Sequence, residues 1–113
     1  MKLPAPTPTE HAEQTAVIQW WAYASSRWKL PPIALFAIPN GGARHINVAR
    51  KLKAEGVRPG IPDLMLAVPK FRGGQQWHGL FVEMKRAKGG RVALPQELSQ
   101  AYLSKAGYLV QTC

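Results

Sequence analysis

The stretch that most limits what this chain can become is Arg58-Pro59-Gly60-Ile61-Pro62-Asp63, a rigid connector that runs straight into the apolar segment Leu64-Met65-Leu66-Ala67-Val68. Its prolines fix the backbone and its glycine frees it, so the connector can neither continue a helix nor pair as a central strand. It delivers Asp63 to the start of a strand. After a polar, glycine-containing interval comes a second apolar segment, Gly79-Leu80-Phe81-Val82-Glu83-Met84-Lys85. In an extended chain Glu83 and Lys85 project from one face while Val82 and Met84 project from the other. A buried strand has no use for a carboxylate and an ammonium, because desolvating them is costly unless something compensates. A metal ion and a phosphate would compensate.

Charge narrows the partner. The chain has 113 residues, with 15 Lys and Arg against 6 Asp and Glu, a formal net charge of +9. Such a surface is rewarded by counterion release from nucleic acid. An anionic membrane is a poorer fit, since no helix joins one basic face to one apolar face. No apolar run approaches the roughly 20 residues that span a bilayer, and Met1-Lys2-Leu3-Pro4 lacks the apolar core of a secretion signal, so an intracellular protein is expected. Cys113 is the only cysteine, which leaves neither a disulfide framework nor a cysteine-based zinc site. The acids are Glu10, Glu13, Glu55, Asp63, Glu83 and Glu97, and Asp63 is the sole aspartate. Acids kept in a chain that repels cations need a reason.

The length suits one domain. Residues 1–8, with three prolines, read as a flexible arm, and 9–113 as a single folded unit. Thr9 is placed to cap a helix running to about Trp28, with Glu10 in its first turn, where negative charge suits the helix dipole. At about 100° per residue, Val17, Trp21, Ala24 and Trp28 share an apolar stripe that also passes through Glu10 and Gln14. Glu13 falls on its flank. Glu10 is therefore the better ligand candidate; the plain alternative is that it only caps the helix. Trp20, Trp21 and Trp28 read as core or interface, and Trp77 as the one tryptophan placed to meet a base.

Ile33 to Ile38 reads as a short buried strand, stopped by Pro39-Asn40-Gly41-Gly42, a tight turn whose exposed amides can approach a phosphate. Ala43-Arg44-His45 leads into a helix from Ile46 to Glu55 bearing Arg50, Lys51 and Lys53, ended by Gly56. This basic face is either solvated or set against a DNA backbone. Pro69 to His78, with Lys70 and Arg72, forms a polar hairpin region able to act as a DNA-contacting arm. Arg86, Lys88 and Arg91 lie in a glycine-containing basic turn suited to phosphate contact. Leu94-Pro95-Gln96-Glu97 opens a helix to about Lys105, with Leu98, Ala101 and Tyr102 as its core side. Ala106-Gly107 stops it, and Tyr108 to Thr112 is a final strand. The fold class is α/β, a small mixed β-sheet of about four to five strands flanked by helices, in the order αβ(α)ββαβ.

Asp63 and Glu83-x-Lys85 on adjacent strands would set two carboxylates and an ammonium around one point. Carboxylate oxygens are hard ligands suited to Mg²⁺, which keeps waters and accepts a substrate phosphate. Such a site hydrolyses phosphodiesters, with Lys85 positioning water or offsetting the developing charge. The spacing alone is common; flanking strands and scarce acids give it weight.

Glu10…Gln14, Ile38-Pro39-Asn40-Gly41-Gly42, Lys51 through Leu64, Leu80-Phe81-Val82-Glu83-Met84-Lys85 and Leu94-Pro95-Gln96, in that order, resemble the VRR-NUC family of the PD-(D/E)XK nuclease superfamily. The resemblance covers nearly the whole chain and implies a restriction-endonuclease-like core. It implies that Asp63, Glu83 and the Met84 backbone carbonyl hold Mg²⁺ or Mn²⁺, with Glu10 completing the site. Lys85 would be the catalytic lysine and Gln96 the helix-borne glutamine of the site. Gln14 and Asn40 match further family positions. The chain is similar to free-standing phage and bacterial members, which implies a homodimer cutting four-way (Holliday) junctions, a link to DNA repair and the cytoplasm of a prokaryotic or phage-infected cell. The rivals are a nuclease of flaps or other branched DNA, a nucleic-acid-binding module without turnover, and a basic structural protein whose acids are tied in salt bridges.

Overall fold

The computed structural model describes residues 9–39, 46–84 and 94–113. The expected N-terminal arm lies outside them. Helix α1 spans Glu10–Ala24, and the Thr9 side chain accepts a hydrogen bond from the Ala12 amide at 3.0 Å, the expected cap. The helix is shorter than its sequence predicts. At Ser25 the backbone tightens into a 3₁₀ turn, Ser25–Trp28, and Lys29 adopts the left-handed conformation with φ 56°. Two tertiary contacts account for this end: Ser25 is buried, and Trp21 Nε1 donates to the Pro32 carbonyl at 3.0 Å, pulling the following segment back across the helix.

Strand β1 is Leu35–Ala37, reduced from the expected 33–38 because Pro32–Ala34 forms a second 3₁₀ turn. Helix α2 covers Ile46–Ala54, and Gly56, at φ +100°, ends it with its amide on the Lys53 carbonyl. Then follow β2 (Leu64–Leu66), β3 (Lys70–Arg72), β4 (Gln75–Trp77), β5 (Leu80–Glu83), α3 (Leu94–Lys105) and β6 (Leu109–Thr112). The polar hairpin region is a separate two-stranded sheet, β3 with β4, turning at Gly73-Gly74.

The main sheet has four strands in the order β1-β2-β5-β6. The first two pairings are antiparallel and β5–β6 is parallel, so the sheet is mixed, as the element order demands. Register decides which residues share a face. Leu64 pairs with Val82 and Leu66 with Leu80, whereas Met65 pairs with Phe81. The side of Leu64, Leu66, Leu80 and Val82 meets α1. There Trp21 is buried and stacks on Trp28 with centroids 6.0 Å apart, and a cavity of about 400 Å³ remains between the tryptophans and the sheet. The other side carries Phe81, whose ring meets Tyr108 edge-on at 5.2 Å, and Glu83, which meets α3.

Helix α3 reverses its expected orientation. Leu98 and Tyr102 are 63% and 69% exposed and Ala101 is also exposed, while the half-buried positions are Gln96, Ser99, Gln100 and Leu103. Those four recur at helical spacing and form one stripe. It is polar at its N-terminal end because that end faces a carboxylate. Among the described residues, no helix is long and apolar enough to cross a membrane.

Candidate active site

The strand ladder brings the two central acids together. The register Leu64↔Val82, continued by one position, sets Asp63 opposite Glu83. Directly opposed residues of an antiparallel pair share a face, with Cβ atoms about 4.5–5.5 Å apart. Both backbones are anchored from outside this pair. The Ile38 amide donates to the Asp63 carbonyl at 2.7 Å, and the Cys113 amide donates to the Glu83 carbonyl at 2.9 Å. Each acid thus sits where a strand ends yet is still held on its outer edge.

Each side chain also has a named hydrogen-bond donor. Asp63 Oδ2 accepts from the Met84 amide at 2.8 Å. Glu83 Oε1 accepts from Gln96 Nε2 at 3.0 Å. Glu83 is only 4% exposed, so its carboxylate is held in a low-dielectric setting where a hydrogen bond of this kind is worth more than at the surface. Opposed like charges destabilise a sheet, and a buried carboxylate is costly unless compensated.

Two carboxylates on one face, at the ends of neighbouring strands, fit Mg²⁺, which is bound through one or two carboxylates and completes its octahedron with water and phosphate oxygens. Among the described residues no group of three or more His, Cys, Asp and Glu side chains is gathered. The structure therefore brings Asp63, Glu83 and Gln96 together and leaves Glu10 apart from them. Glu10 is exposed in the first turn of α1, while Glu13 and Gln14 are half-buried. Met84 is buried, and the hydrogen bond it makes to Asp63 uses its amide.

The expected nucleic-acid contacts divide in two. Lys51 and Lys53 are exposed on the last turn of α2, and Arg72 is exposed on the β3–β4 hairpin, where Lys70 pairs with Trp77 across the strands. Asn40, Gly41, Gly42, Arg44, His45, Lys85, Arg86, Lys88 and Arg91 lie outside the described residues. One contributor has no counterpart in the sequence reading: Ser99, whose hydroxyl donates to the Gly60 carbonyl. Its position three residues after Gln96 on one helix face is the signal that could have found it.

No protein-family model and no curated protein matches the sequence. Among solved structures the chain is similar to a VRR_NUC domain protein, with a TM-score of 0.74 and 24% sequence identity, covering 96% of this chain and 78% of that one. At this identity the likeness establishes the fold. The chain shares the fold of that VRR_NUC domain protein, as the ordered motifs imply.

Proposed function

We propose that this chain is a divalent-metal-dependent DNA endonuclease that hydrolyses phosphodiester bonds, and that it cuts four-way junctions as a homodimer. The observation that carries this reading is the Asp63–Glu83 pair, opposed across β2 and β5, with Glu83 buried and held by Gln96. In a chain of net charge +9 whose only aspartate is Asp63, the overall charge favours phosphates while the paired acids favour a cation.

Mg²⁺ or Mn²⁺ held there supplies Lewis-acid polarisation of the scissile phosphate. Asp63 and Glu83 are the residues that hold it, one oxygen of each being oriented by a hydrogen bond from Met84 or Gln96. Met84 contributes its carbonyl as a further ligand in this reading, and Glu10, which stands apart from the two acids in the structure, would add its carboxylate only by a shift of the first turn of α1 toward them. Lys85 follows Glu83 by two positions in the sequence and carries the positive charge that offsets negative charge developing on the phosphate. Lys51, Lys53 and Arg72 bind backbone phosphates and so position the duplex without reading its sequence. Two copies of the site, one per strand, fit the symmetric cutting of a junction.

The test is a cleavage panel. Purified protein with Mg²⁺ or Mn²⁺ is given four-way junction, flap and linear duplex DNA. Cleavage of the junction ahead of the others, and its loss in Asp63→Ala, is expected. Binding without product on any substrate would leave a binding module in place of an enzyme, and faster cutting of flaps would reassign the substrate.

A further inference from the structure

Gly60 approaches the first turn of α3 more closely than any other residue type could. Its φ is +82°, and a Cβ added there would lie 2.5 Å from both the carbonyl carbon and oxygen of Pro95 and 2.8 Å from the Gln96 nitrogen. All three atoms belong to backbone, so none can swing aside. Ser99, one turn further along α3, donates its hydroxyl to the Gly60 carbonyl, and its Oγ also lies 3.1 Å from the Gln96 carbonyl oxygen. One hydroxyl thus ties the connector to the helix start. Three residues beyond Gly60 is Asp63; the helix start carries Gln96, whose amide holds Glu83.

We infer that Gly60 and Ser99 form a positioning clamp that sets the distance between the connector bearing Asp63 and the helix turn bearing Gln96, and through Gln96 the orientation of the Glu83 carboxylate. Its effect on rate rests on the proposed nuclease reading; its effect on Gln96 does not. Neither clamp residue touches the reacting atoms. Both act through Gln96.

A matched pair of variants separates the clamp from backbone strain. Gly56 is also left-handed, at φ +100°, but an added Cβ there meets nothing within 4 Å. Gly56→Ala therefore imposes the strain without the collision. The two are compared by the NMR resonance of the Gln96 side-chain amide and by steady-state cleavage of junction DNA. Gly60→Ala is expected to shift the Gln96 amide and to lower kcat by about tenfold or more with KM held within about twofold, as a displaced orienting group does. Gly56→Ala leaves both as in the wild type.

Should Gly60→Ala fail to fold, Ser99→Ala and Ser99→Thr decide. The first is expected to shift the resonance and slow turnover, and the second, which keeps the hydroxyl, to restore both. An unmoved Gln96 resonance in Gly60→Ala or Ser99→Ala overturns the clamp, as does an equal shift in Gly56→Ala. If the wild type itself cleaves nothing, the nuclease reading fails and the Gln96 resonance alone still decides the clamp.

Discussion

Leu80 and Val82 turn one side of β5 toward α1, where they meet Trp20, Trp21 and Trp28 across an apolar cavity. Phe81 and Glu83, one residue out of phase, turn the other side toward Tyr108 and α3. The first contact is non-directional: it is held by area removed from water and by ring packing, and it tolerates a cavity of about 400 Å³. The second is directional, with the Gln96 amide on Glu83, the Met84 amide on Asp63 and the Ser99 hydroxyl on Gly60. A single strand of four residues therefore separates the part of the molecule that supplies stability from the part that supplies geometry.

The sharpest way to break this division is to change charge without changing shape. Glu83→Gln keeps the volume of a buried side chain and removes its charge. We predict that cleavage under single-turnover conditions falls by about a hundredfold to a thousandfold while DNA binding, followed by fluorescence anisotropy, stays close to wild type. Loss of binding in parallel would mean that the acid serves the fold instead of the chemistry.

On the opposite face, Trp21→Ala removes the most buried tryptophan, and we predict a loss of about 3–5 kcal/mol in urea denaturation. At temperatures where the variant remains folded its kcat should match the wild type. A lowered kcat there would show that the two faces communicate.

Gln96→Leu has a smaller expected effect. It deletes the donor to Glu83 Oε1 and puts an apolar side chain of similar size in its place, and activity should drop by about tenfold to a hundredfold, with Mg²⁺ affinity weakened in a titration free of DNA. Activity unchanged at saturating metal would reduce Gln96 to a structural hydrogen bond.

The smallest contrast concerns α1. Glu10→Ala is expected to slow cleavage while Glu13→Ala leaves it alone, both read in the same junction assay. The opposite order would transfer the role to Glu13, which the fold half-buries while leaving Glu10 exposed.

These two faces were not equally legible. Local signals survive intact: Thr9 caps α1, Gly56 ends α2 and Pro95 opens α3 near its first residue, because each depends on a few adjacent backbone groups. The alternation through Val82 and Glu83 predicts which residue faces which side, and the register agrees. Helix faces were harder. Apolar periodicity places the α1 stripe through Trp21 and Ala24, both buried, but it also runs that stripe through Glu10, which is exposed while Glu13 on its flank is half-buried, and it assigns Leu98 and Tyr102 to the core of α3, where they are exposed. That rule presumes an apolar neighbour along the whole helix, and the first turn of α3 faces a carboxylate. The end of α1 at Ala24 depends on Trp21 reaching the Pro32 carbonyl, and the approach of Gly60 to Pro95 joins segments thirty-five positions apart in the chain, 95 against 60. Neither is written in local composition.

The mixed pairing of β5 also bears on the order of assembly. Its antiparallel partner β2 lies close by along the chain, whereas its parallel partner β6 is reached only through α3. Loop closure disfavours the longer connection, so β2–β5 is expected to form first and β5–β6 with the docking of α3. The paired acids would then exist before their orienting glutamine arrives, and a nascent or partly folded chain would hold a cation pocket without hydrolytic competence. Pulse-labelled hydrogen exchange reads this directly: protection of the Leu66 amide, which faces β5, ahead of the Gln111 amide, which faces β5 from the other side, is the expected sequence, and simultaneous protection would mean that sheet and site appear in one step.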